Sequence, residues 1–337
     1  MAKRTSLKDI AESVGVSIAL VSYVLNNQKE NRISKEVAQK IRKAAQELNY
    51  QPNRIAQSLK TNKTRTLGLV VADIANPFAS SMARIIEDEA NSHNHTVIFG
   101  SSDENPQKCR KLIATLLNRQ VDGLIVAAPA GAESQIIELQ QGTTPFVLID
   151  RYFPTLKTNY VALDNHQSIH AAVQHLIGLG YRRIGMVTYK TTLFHINERT
   201  RGYRSAHDEN QMPVRKRWLK EVDMDNFAHQ VSKAVHELTT GPNPVDAIVF
   251  ASNTLAIYGL KQLKSSSLRI PTDVAVVSFD EAEINDLFYS PLTYIRQPLR
   301  EMGQLATKIL VEAIAANNRV TQANLEATLV IQESTRR

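Results

Sequence analysis

The feature that most limits the fold is a series of short, continuous apolar runs, each followed by a helix-length segment. Residues 67–73, 96–99, 123–128 and 146–149 form one series, and residues 160–163, 184–187, 247–250 and 274–277 form a second. A strand that is apolar on both faces must be covered on both, which is the property of parallel sheets flanked by helices. Two such series predict two doubly wound α/β lobes in one body. Ahead of residue 67 the pattern is different, with helical spacing and many cations, so the chain reads as a small helical domain followed by a bilobed one.

The charge is segregated in the same way. Residues 1–65 hold 13 Lys and Arg against 5 Asp and Glu, a balance of +8, which leaves 27 against 28, or −1, for the other residues. Lys and Arg that neutralise phosphates supply most sequence-independent affinity for DNA, so a basic head on a near-neutral body points to nucleic acid. Charge alone is equally compatible with an ordinary solvated basic surface. The spacing decides further. Leu7, Ile10, Ala11 and Val14 make a short amphipathic helix that stops at Gly15, and Ser17 caps a second helix carrying Leu20, Val21, Val24 and Leu25, which ends at Asn26-Asn27. A third helix follows Ser34, with Val37, Ile41, Ala44 and Leu48 on its apolar side. Two short helices joined by a Gly-containing turn form a helix-turn-helix, whose second helix enters the major groove. Residues 52–60 read as one more short helix, opened by Pro52 and carrying Ile55, Ala56 and Leu59 on one face. It is too short to be stable alone and needs a partner or DNA, unless it is a plain linker.

These residues also resemble a known family. Leu7-Lys8-Asp9-Ile10-Ala11-Glu12 running into Gly15-Val16-Ser17 and Val21-Ser22, then Leu48-Asn49-Tyr50-Gln51-Pro52-Asn53 with Ala56 and Leu59, looks like the head of a LacI-family repressor. The likeness continues through Asn76-Pro77-Phe78, Asp122-Gly123-Leu124-Ile125, Leu148-Ile149-Asp150-Arg151, Arg199 with Gly202-Tyr203, Ser278-Phe279-Asp280 and Pro291-Leu292-Thr293 with Gln297-Pro298. It implies a helix-turn-helix domain over 1–51, a hinge helix and linker over 52–66, and a periplasmic-binding-protein-like body over 67–337 that binds an effector and dimerises. The implied DNA-contacting set is Leu7, Ser17, Ile18, Ala19, Ser22, Tyr23, Asn26, Asn53, Arg54, Ala56 and Leu59. In the family the positions of Ile18 and Ala19 read bases; these two side chains cannot hydrogen-bond and suit the thymine methyl. The family usually has Arg where this chain has Tyr23 and Thr where it has Leu20. At the hinge, a leucine in the place of Leu59 wedges between bases in the minor groove, with Arg54 and Lys60 flanking it here.

The body supplies the expected ligand chemistry. In open α/β sheets ligands bind beyond the carboxyl ends of the strands, where Asp73, Asp150, Asn253 and Asp280 fall. Asp150, Asn253, Asp280 and Arg199 offer donors and acceptors for hydroxyl groups, and Phe78 offers an apolar face for a ring, which suits a sugar or sugar derivative. By resemblance the effector set is Phe78, Ala79, Asp150, Leu193, His195, Arg199, Met224, Asn253 and Asp280. A palindromic operator, a homodimer and no cofactor complete the expectation.

An enzyme on the same α/β lobes is the rival from another class. It lacks motifs: no strand-turn-helix segment gives G-x-G-x-x-G or a P-loop. His166 and His170 have the i, i+4 spacing of a metal pair, with no acidic or thiol partner at a matching spacing. Cys109 is the lone cysteine, so no internal disulfide forms and a reducing cytoplasm is expected. Lys8, Asp9 and Glu12 interrupt the place where a signal peptide needs an apolar core. LacI-type tetramers add a carboxyl-terminal leucine-heptad helix, and the sequence ends at Arg337 soon after the run 329–331, so a dimer is expected.

Overall fold

The computed structural model describes residues 5–26, 32–51, 63–316 and 319–336. The chain divides into two compact units, Met1–Thr64 and Arg65–Arg337.

In the first unit, α1 (Leu7–Val14), α2 (Ile18–Leu25) and α3 (Lys35–Glu47) each start at a serine. Ser6 caps α1 through a capping box: its backbone N–H donates to the Asp9 carboxylate at 2.7 Å while the Asp9 N–H donates to Ser6 Oγ. Ser17 Oγ accepts from the Leu20 N–H at 3.2 Å and Ser34 Oγ from the Val37 N–H at 3.3 Å. Gly15 sits at φ +72°, the left-handed conformation that stops α1 and turns the chain into α2. Ile10, Ala11, Val21, Val24, Ile41 and Ala45 bury together from all three helices. The expected hinge segment, with Asn53, Arg54, Ala56 and Leu59, lies outside the described residues.

The second unit holds two six-stranded sheets. The first is built from β1 (Thr66–Val71), β2 (Thr96–Ser101), β3 (Gly123–Val126), β4 (Phe146–Ile149), β5 (Tyr160–Leu163) and β11 (Gln322–Leu325), in the order β11-β5-β4-β3-β1-β2. The second contains β6 (Ile184–Tyr189), β7 (Leu219–Val222), β8 (Ala247–Phe250), β9 (Ala275–Phe279), β10 (Thr293–Arg296) and β12 (Thr328–Val330), in the order β12-β10-β9-β8-β6-β7. Every pairing is parallel except β10 with β12. Along the first sheet side chains alternate between its faces. Leu69, Val71, Ile125 and Val147 pack under the helices Pro77–Ser92 and Leu299–Ile314, while Val70, Leu124, Val126 and Leu148 pack under Pro106–Asn118 and Glu133–Gln141. The second lobe has its own core around Ile184, Val249, Val277 and Phe279.

One strand is placed differently from the reading of the sequence, which put residues 160–163 in the second series. β5 pairs with β4, Leu148 opposite Tyr160 and Ile149 opposite Val161, and so belongs to the first lobe. An apolar run carries no mark of its sheet; its pairing partner decides. The chain enters the second lobe only after β5, returns to the first with Leu299–Ile314 and β11, and ends in the second with β12. The last crossings were not legible from the sequence, because β11 is short and half polar and the short run at β12 carries no mark of the sheet it joins.

Candidate functional site

The two lobes repeat one layout, and the repeat generates the site. Asp150 follows β4 and Asp280 follows β9, the equivalent strands in the two sheet orders. Both adopt positive φ, +66° and +72°, a conformation Asp tolerates better than most residues. Each backbone is held by the next strand: Asp150 N–H donates to Val161 O at 2.9 Å and Asp280 N–H to Ile295 O at 3.0 Å. Both carboxylates are therefore buried at the carboxyl ends of their strands.

Arg199, on the helix Phe194–Glu209, enters this space from the second lobe. Its Nε donates to Asn165 Oδ1 at 2.7 Å, one Nη donates to Ala251 O at 2.6 Å, and its guanidinium lies 3.5 Å from the centre of the Phe279 ring. Gln297 Nε2 donates to Asp280 Oδ1 at 2.6 Å. In the first lobe Arg151 forms a two-pronged pair with Glu104, both contacts at 2.7 Å, and its Nε stands 3.6 Å from Asp150 Oδ2. Burial pushes the Asp150 and Asp280 carboxyls up, with Arg151 foremost in opposing it at Asp150 and Arg199 at Asp280. Burial also holds His195 well below the usual histidine range, with Arg151 and Arg199 adding to it, so the ring is neutral. Among the described residues, no side chain or amide donates a hydrogen bond to the Asp150 carboxylate. Arg151 Nε, His195 Nδ1 and Gln297 Oε1 are buried without a hydrogen-bond partner.

The residues expected at the effector site come together unequally. Phe78, Ala79 and Asp150 line one cavity of about 40 Å³ in the first lobe, while His195 lines a second of about 190 Å³. Asn253, at the start of the helix Asn253–Ser265, donates to Asn76 Oδ1 at 3.3 Å and so links the second lobe to the first. Leu193 caps the helix that carries His195 and Arg199. Met224 is 64% exposed beyond β7 and lines neither cavity. Arg151, Glu104, Asn165 and Gln297 were not anticipated. Asp150-Arg151 and Gln297-Pro298 stood among the recognisable motifs, but only the fold shows that their side chains converge.

In the head, Ile18 is 48% exposed and Ala19 and Ser17 are exposed beside it at the start of α2. Asn26 Nδ2 donates to Ser22 O at 2.8 Å and to Ser22 Oγ at 3.3 Å, which ties these two together. Tyr23 is half-buried, and Leu7 packs against the head core. His166 and His170 serve packing and surface pairing: His166 Nε2 meets Ser205 Oγ at 2.9 Å and His170 Nε2 meets Glu209 at 2.8 Å. Among the described residues no group of three His, Cys, Asp or Glu could hold a metal, and no helix is long and apolar enough to cross a membrane.

A helix-turn-helix head joined to a two-lobed α/β body with a buried polar cleft defines a ligand-responsive DNA-binding regulator. The comparisons agree. The profile of bacterial regulatory proteins, lacI family, matches residues 6–53, and that of a periplasmic-binding-protein-like domain matches residues 173–335. The probable HTH-type transcriptional regulator EndR of Paenibacillus polymyxa is 31% identical over 313 residues, which cover 92% of this chain and 91% of that protein. The ribose operon repressor of Haemophilus influenzae is 29% identical over 330 residues, covering 98% of each. The crystal structure of the Lac repressor dimer bound to operator and the anti-inducer ONPF superposes with a TM-score of 0.87 at 24% identity, over 99% of this chain and all of that one, and so shares the fold. The chain belongs to the LacI family of bacterial regulatory proteins. It is a DNA-binding transcriptional regulator and not an enzyme.

Proposed function

We propose that this regulator acts in the cytoplasm as a homodimeric repressor on a palindromic operator, and that a neutral, hydroxylated effector, a sugar or sugar derivative, sets its operator affinity. The effector binds between the lobes, with Asp150 on one side and Arg199, Asn253 and Asp280 on the other. The observation that carries this reading is the unspent hydrogen-bonding capacity there: Asp150 and Arg151 Nε face each other at 3.6 Å as an ion pair without a hydrogen bond, and Gln297 Oε1, on the Asp280 side, is buried without a hydrogen-bond partner. An unsatisfied buried polar group costs roughly 1–3 kcal/mol, and hydroxyl groups, which both donate and accept, relieve it at either kind of atom. Buried ionised groups from both lobes also suit a ligand that favours one lobe arrangement, the condition for coupling to DNA. The name of the ribose operon repressor among the relatives supports the sugar class. On DNA, Ser17 and Ser22 position the head on phosphates, and Ile18 and Ala19 present apolar groups to base edges.

The test is an operator titration of the full chain with and without sugars, after the site has been found by binding-site selection. An inverted repeat, and a sugar response lost in Asp280→Asn, are the expected results. Selection without an inverted repeat, or a response unchanged by Asp280→Asn, would refute the reading.

A further inference from the structure

The larger of the two cavities lies away from the carboxylate pair, and its walls come from both lobes. Tyr152, Asp164 and Asn324 face it from the first-lobe strands and their ends, and His195, Glu198 and Arg201 from one side of the helix Phe194–Glu209. Its volume of about 190 Å³ far exceeds the roughly 10–15 Å³ that a single water occupies on this measure. Glu198 is committed to Arg201, whose Nε lies 2.9 Å from its Oε1, and one oxygen of Asp164 caps the following helix through the Gln167 N–H. Asn324 Nδ2 makes only a long 3.4 Å contact to the Tyr160 hydroxyl. These are amide, carboxylate and guanidinium groups with capacity to spare, set beside the Tyr152 ring.

His195 belongs to this cavity and also lies within the electrostatic reach of Arg151 and Arg199. It lines the cavity, it is 5% exposed, and its Nδ1 is buried without a partner. Asn165 joins the same wall, and its Oδ1 holds Arg199 on the cleft side. Asn165 thus touches both the cavity and Arg199, and among the described residues no hydrogen bond fixes the His195 ring beside it. A neutral imidazole with a free nitrogen is satisfied by a hydroxyl, which meets it as donor or acceptor.

We propose that this cavity is a second subsite for another hydroxylated ring of the same effector, reached past His195, so that the regulator responds to a two-unit sugar in preference to a single one. The inference rests on the sugar reading of the cleft. A neutral polyol is favoured over an anion because Arg201 is already paired with Glu198 and Asp164 adds a negative charge. Binding also ties the two lobes together, since Tyr152 and Asn324 belong to one and His195 and Glu198 to the other.

The experiment is calorimetric titration of the full chain with glucose, galactose and fructose against cellobiose, maltose, lactose, melibiose and sucrose. The expected result is that at least one disaccharide binds about 10-fold or more tightly than its own component sugars, equivalent to ~1.4 kcal/mol. Asn324→Leu, which replaces a lining amide with an apolar group of similar shape, and Arg201→Ala, on the exposed rim, each bring that ratio towards one. The second variant keeps the test intact should the first fail to fold. Monosaccharides that bind in an Asp280-dependent way, with no disaccharide advantage or with one untouched by both variants, would overturn the subsite and leave the cleft standing. Absence of binding by every sugar would overturn both.

Discussion

The heaviest electrostatic burden in the body rests on Arg199, and its removal can be worked through from the contacts. Arg199→Met keeps most of the volume and removes the charge. It deletes the hydrogen bonds to Asn165 Oδ1 and Ala251 O and the contact with the Phe279 ring, and it takes the nearest cation from Asp280 while weakening the field at Asp150. Removing one partner of a buried charge cluster costs about 3–5 kcal/mol, because the remaining charge stays buried and uncompensated. In a domain of this size, with ~2 °C of melting temperature per kcal/mol, the body transition should fall by roughly 6–10 °C. The assay is thermal unfolding of the full chain followed by circular dichroism, with Asp280→Asn and the double variant alongside. If the loss comes from stranded charge, Asp280→Asn added to Arg199→Met recovers part of it, with a coupling of about 0.5–3 kcal/mol. A decrease below 2 °C, on the order of 1 kcal/mol, or strict additivity of the two substitutions would refute the reasoning.

Three further outcomes follow from particular residues. Burial first, and for His195 the neighbouring arginines, lowers the folded-state pKa of His195, His207 and His175 below the ordinary 6.5, so the unfolded chain binds more protons there. Their stabilising contribution is present above that value and lost as pH falls below it, by up to ~1.4 kcal/mol per unit for each ring. Asp150 and Asp280, raised by burial, act in the opposite sense, losing stability as pH rises from 3.8 through their folded values, so the histidine share is isolated by a variant. His195→Gln should flatten the decline of the urea midpoint below pH 6.5, and an unchanged profile would rule the histidine out. At Gly202 an added Cβ would lie 2.2 Å from the His166 carbonyl oxygen, a backbone atom that cannot step aside. Gly202→Ala should therefore destabilise the body by about 1–3 kcal/mol or more, and a melting temperature equal to wild type would contradict the close approach. Leu59→Ala, at the apolar face of the hinge sequence, should reduce operator bending and affinity while sugar binding persists; unchanged bending in a gel phasing assay would exclude the wedge.

Much of this protein is written locally. The serines at 6, 17 and 34, the glycine at 15 and the helical spacing of Ile10, Val21 and Ile41 determine the head, because a capped three-helix unit is fixed by neighbours within a few residues. Continuous apolar runs indicate that the body is made of covered, mostly parallel strands, since helices on both sides of a parallel sheet bury both its faces. The strand-end position of Asp150, Asn253 and Asp280 was legible for the same reason: a carboxylate or amide that closes an apolar run stands at the carboxyl end of its strand. What the sequence could not decide is pairing. Residues 160–163 could serve either sheet, and only contact with β4 assigns them to the first. That assignment moves the lobe crossing to Asp164 and Asn165, and so places Asn165 against Arg199 and Asn324 opposite His195. Arg151 with Glu104, Gln297 with Asp280 and the unpartnered nitrogen of His195 likewise emerge only in three dimensions. Long-range side-chain pairs carry no periodicity. They are set by how two sheets, separated by many residues, bring their strand ends to one cleft, and the energy that selects them is the burial of both lobes as a whole.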